Sequence, residues 1–135
     1  MANVADYKGL QQPFANEIQK LEVTYDFALD AGAVGTFTLF TAASAIVVHR
    51  CVAKVKTAGT SAGSATVAVA KNASGAGGMA ATAVASLTTS AVIAGATGLG
   101  AGGLYLAAAD TIDMLIATAD LTAGKITFEF WISKA

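Results

Sequence analysis

The chain has 135 residues, a single cysteine, and a net charge of −1 from eight basic and nine acidic residues. That length carries one domain around one core, and a lone thiol excludes an internal disulfide and a cysteine-rich zinc site. With only 13% of residues charged, there is no basic stripe to grip a nucleic-acid backbone. The thinly charged surface suits a protein packed against copies of itself or a larger assembly.

Residues 1–20, "MANVADYKGLQQPFANEIQK", carry charges throughout, no apolar run and no periodicity, and they hold the only proline, Pro13. They read as an N-terminal arm, fixed only where it meets a partner, leaving a domain that spans 21–135; no export signal is expected there. In "EVTYDFALD" Val23, Tyr25, Phe27 and Leu29 alternate with Glu22, Thr24, Asp26 and Asp30, the period-two pattern of a half-buried strand. Strands are expected next at 35–41, 45–57, 64–71 and 111–117, which are rich in Val, Ile, Thr and Phe and bounded by turn residues. Weaker strands are expected at 82–87, 91–94 and 103–107, although the Ala-rich stretch 79–92 also admits a short helix. Ser86 to Ala109 is uncharged, but its glycines, serines and threonines do not make a membrane span. The chain closes on "KITFEFWIS", where Ile126, Phe128, Phe130 and Ile132 face one way and Lys125, Thr127, Glu129, Trp131 and Ser133 the other. Strands with a turn signal about every ten residues, and no long helical pattern, predict an all-β fold: an antiparallel β-sandwich, jelly-roll-like, of about eight strands.

Gly98, Gly100 and Gly103 have the G-x-G-x-x-G spacing of a dinucleotide loop, with Asp120 at the distance of a ribose carboxylate. Such a loop must join a strand to a helix inside a parallel βαβ unit. Here it falls late in an antiparallel pattern, so it reads as a connection, and no cofactor is expected. His49, the only histidine, falls on the strand face of Val47, Cys51, Ala53 and Val55; His and Cys on one face can serve as base and nucleophile. No third orienting group or nucleophile turn accompanies them, so no catalytic residue is expected and the chain is not read as an enzyme. Asp110, Asp113 and Asp120 do not follow a calcium loop, and Asp113 is expected to face water; no metal site is assigned. Trp131 on the polar face of the last strand, and Phe40, which breaks the alternation of Phe37 and Leu39, are the candidate interface aromatics, with Pro13 and Phe14 on the arm.

"TYDFALDAGAVGTFTL" and "LTAGKITFEFWIS", bracketing Gly/Ala/Thr-rich strands, resemble a group of small tailed-phage virion proteins, the capsid decoration (cement) proteins. The resemblance covers roughly residues 20–133. It implies a β-sandwich, usually trimeric, clipped to the outer surface of an assembled head. Its implied partners are the major capsid protein and further copies of itself, with no catalytic residues to carry over. The competing expectation is a receptor- or glycan-binding tail or fibre module on the same sandwich. Such a module needs aromatic and polar loops, where these loops carry Ala, Gly, Ser and Thr.

Overall fold

The computed structural model describes residues 18–73, 78–95 and 103–135. Among these, nine strands form two antiparallel sheets: β1 (Gln19–Asp26), β2 (Gly35–Thr41), β3 (Ile46–Ser61), β4 (Thr66–Lys71), β5 (Met79–Ala83), β6 (Val92–Gly95), β7 (Leu104–Leu106), β8 (Thr111–Ala117) and β9 (Leu121–Lys134). The first sheet runs β1-β9-β3, with β6 and β7 sharing the far edge of β3; the second runs β2-β8-β4-β5. This is the expected all-β sandwich. β1 begins at Gln19, so Gln19 and Lys20, grouped with the arm on sequence, pair with Ile132 and Trp131 of β9.

The alternation at the two chain ends builds the core. Leu21, Val23 and Tyr25 of β1 lie opposite Phe130, Phe128 and Ile126 of β9, and all six side chains are buried. The second sheet answers with Leu39, Val67, Val69, Ile112, Met114 and Ile116. Aromatic edges lock the layers: Phe40 meets Phe130 at 5.1 Å and Tyr25 meets Phe37 at 5.5 Å between ring centres.

Three local departures from strict alternation shape the surface. The first is the end of β1. Asp26 accepts a hydrogen bond from the Ala28 amide at 3.0 Å and starts a single helical turn, α1 (Phe27–Asp30), so the strand expected to reach Asp30 stops four residues early. Leu29, expected in the core, is 83% exposed. The second is a bulge on β2 between Thr38 and Phe40, which turns both Leu39 and Phe40 inward. The third is a bulge on β3 between Val48 and Arg50; His49 is its extra residue, and the inward set shifts from Ile46 and Val48 to Cys51, Ala53 and Val55. The Ala-rich stretch does not form a helix beyond the one 3₁₀ turn, Val84–Ser86, between β5 and β6.

Candidate functional site

The chemistry-bearing residues singled out on sequence do not converge. Gly98 and Gly100 lie outside the described residues. Gly103 has φ +76° and leads into strand β7 rather than a helix, so it does not open the strand–loop–helix geometry that a phosphate cradle needs. The bulge at His49 corrects the expected His–Cys face. His49 is exposed and its Nε2 lies 2.7 Å from Ser133 Oγ, while Cys51 points into the core. Burial pushes the Cys51 thiol up to about 12, which makes it a packing residue rather than a nucleophile.

The three aspartates serve three different parts of the frame. Asp110 accepts from Asn72 Nδ2 at 3.1 Å and from the Ala107 amide at 2.9 Å, with Lys71 at 3.4 Å; the two hydrogen bonds, then the lysine charge, hold its carboxyl below the usual range. Asp120 accepts from the Val34 amide at 2.8 Å. Asp113 does not face water as expected: it is 3% exposed, lies between Thr38 and Ala70, and accepts from Thr111 Oγ1 at 2.9 Å, while its Oδ1 has no hydrogen-bond partner. Among the described residues no three His, Cys, Asp or Glu side chains gather as metal ligands.

The interface candidates separate cleanly. Phe40 sits in the core at 2% exposure, so it offers no surface, and its break in alternation is the β2 bulge. Pro13 and Phe14 lie outside the described residues. Trp131 is half-buried on the outer face of the first sheet, and the Arg50 guanidinium lies 4.9 Å from its ring centre. Beside it runs a charged ladder. Glu129, expected on a wet face, is instead 4% exposed and held by Lys54 at 3.0 Å and Lys20 at 3.7 Å, and Lys20 also meets Glu22 at 3.2 Å. Burial alone raises the Glu129 carboxyl, but the hydrogen bond from Lys54 and the charges of the Lys20 and Lys54 ammonium groups outweigh it and leave the group lowered.

Sequence reasoning missed the exposed apolar end of the sandwich. After α1 the chain is tied down residue by residue: Tyr25 Oη donates to the Ala31 carbonyl at 2.5 Å, the Leu121 amide to the Gly32 carbonyl at 2.7 Å, and the Val34 amide to Asp120. Gly32 is required, because a Cβ there meets the Leu121 carbonyl at 2.5 Å. Ala31 sits at φ +64°, a backbone state that costs a non-glycine residue about 1–3 kcal/mol. This rigid loop holds Leu29 and Val34 out, 83% and 52% exposed. Only a cap signal at Asp26 could have indicated it. At the same end lies an open depression of about 420 Å³ between the β3–β4 connection and the end of β5, lined by Ser61, Ala65, Ala83, Val84 and Ala85 among others, none of them ionisable.

No protein-family model matches the chain, and no curated protein matches it in sequence. Two solved structures share its fold. A chain from the capsid of Ralstonia phage GP4 is 14% identical with a TM-score of 0.60, covering 91% of this chain and 88% of that one. A chain from the capsid asymmetric unit of cyanophage Pam1 is 15% identical with a TM-score of 0.55, covering 92% of this chain and 89% of that one. At these identities the likeness is one of fold, and it spans nearly the whole of each chain.

Proposed function

We propose that this chain is a structural protein of a tailed-phage virion, a decoration protein that binds the outer surface of the head and stabilises it. The observation that carries this reading is the fold shared with two phage-capsid chains over about nine-tenths of the length. The surface supports it: shallow open depressions, a thinly charged exterior and side chains engaged in holding the frame suit contact rather than turnover. A shell protein needs area and rigidity, and many weak contacts repeated over a capsid need little affinity each.

In this reading the protein acts as a homotrimer and its partner is the major capsid protein. Trp131, with Arg50 across its ring, meets a neighbouring subunit of the particle; the pair combines two of the residue types that most often anchor interfaces. Residues 1–17, with Pro13 and Phe14, serve as the attachment arm. Ordering an arm costs about 1–2 kcal/mol per residue in backbone entropy, so contacts on the particle must supply it. The test is to mix purified protein with heads that lack it and follow co-sedimentation and resistance of the heads to heat. Full-length protein is expected to bind and protect, and a chain lacking residues 1–17 to bind more weakly while staying folded. Protein that ignores the heads and binds host cells or glycans instead overturns the reading.

A further inference from the structure

We infer that the outer face of the first sheet docks on an acidic patch of the head's shell protein, with Arg50, laid across Trp131, receiving a carboxylate of that partner. This deepens the reading above and rests on it: Trp131 and Arg50 meet a neighbouring subunit there, and the charge of the face decides what that subunit must present.

Three adjacent strands bring the contact residues into one row. Lys20 of β1 and Arg50 of β3 both lie opposite Trp131 of β9, so the indole stands between two cations. Strands about 4.8 Å apart place the three Cα atoms within about 10 Å of one another. The bulge on β3 makes this row: its extra residue sets Arg50 opposite Trp131 and leaves His49 beside Ser133, Nε2 2.7 Å from Oγ. Re-aiming a side chain in this way is a common use of a bulge.

The charges of the face leave Arg50 over. Glu22 and Glu129 are engaged by Lys20 and Lys54, and Asp26 lies 4.0 Å from Lys125. Arg50 is exposed, and among the described residues it has no carboxylate within ion-pair distance. Its guanidinium rests on the Trp131 ring, 4.9 Å from the centre, so it loses little freedom when an anion arrives. A planar fork of donors held in this way receives a carboxylate through two parallel hydrogen bonds. Because the carboxylates of the face are already matched, its surplus is positive, and the complementary surface is acidic.

The test measures affinity of the full chain for heads that lack it, by co-sedimentation at physiological and at raised salt. Arg50→Glu is expected to bind about tenfold more weakly or worse, the loss typical of an interface anchor. Arg50→Lys should fall between, because it keeps the charge and loses the planar fork. Lys56→Glu makes the same charge change at an exposed site further along β3 and should stay within about twofold of wild type. Raised salt should weaken the wild type more than Arg50→Gln, which also serves in place of Arg50→Glu if that variant folds poorly beside Trp131. Arg50 variants that bind as the wild type does, or a Lys56→Glu chain that loses as much as Arg50→Glu, overturn the carboxylate contact and leave head binding standing. A wild-type chain that ignores the heads overturns the reading above and this contact with it.

Discussion

Phe40 offers the sharpest test of how the bulge on β2 assigns its aromatics. On sequence Phe40 is an interface candidate; in the fold it is 2% exposed and packs edge-on against Phe130 at 5.1 Å. Truncating a buried phenylalanine to alanine removes its transfer free energy and leaves a cavity, together about 3–5 kcal/mol. In a domain of this size each kcal/mol moves the midpoint by about 3–5 °C, so Phe40→Ala should lower Tm by about 10–20 °C. Phe40→Leu, which keeps most of the volume, should cost about 1–2 kcal/mol. Thermal unfolding followed by circular dichroism, at one fixed protein concentration so that assembly does not shift the midpoint, measures all three. A Phe40→Ala protein that melts within about 2 °C of the wild type, less than the shift expected for 1 kcal/mol, while failing to assemble refutes the core assignment.

Cys51 should resist a thiol reagent at pH 8 in the folded protein and react at once in denaturant, because its thiol is buried and titrates at about 12; rapid native labelling contradicts this. Tyr25→Phe should cost about 1 kcal/mol by removing the hydrogen bond to Ala31 while keeping the ring in place. The Tyr25 phenol is raised to about 12, chiefly by burial, so its contribution is full below the unfolded value of about 10 and lost as pH rises through 12; ultraviolet titration compared with the Tyr25→Phe variant should show the Tyr25 signal appearing late. Glu129 has a lowered carboxyl, so the stability it adds is present above the unfolded value of about 4.3 and lost as pH falls through its folded value. Glu129→Gln should therefore flatten the acid limb of a stability–pH profile, and an unchanged limb refutes the role of the Lys20–Glu129–Lys54 ladder.

How much of this is legible in the sequence depends on whether one residue's environment is set locally. Ile126, Phe128, Phe130 and Ile132 alternate without interruption, and period two alone places them in the core. His49 and Phe40 mislead because a bulge adds one residue and reverses every facing beyond it, and nothing in the one-dimensional pattern marks where a partner strand skips. Leu29 misleads for a neighbouring reason: Asp26 and Asp30 favour a capped turn over one more strand residue, and the hydrogen bonds of Asp26 win. Alternation alone puts Glu129 and Asp113 in water, yet their burial is set by residues brought from other strands: Lys20 and Lys54 for one, Thr38 and Ala70 for the other. The exposed Leu29 and Val34 are the least legible part, because the loop that carries them is held in place by Asp120 and Leu121 from a distant part of the chain.

The central claim is that the chain sits on the outside of a phage head. The most direct measurement is electron microscopy of intact virions that contain the chain, labelled with antibody against it without disruption of the particle. Label distributed over the head surface, and lost from particles assembled without the protein, is the predicted result. Label confined to tail or fibre contradicts the account, as does an absence of label on heads that nevertheless contain the chain.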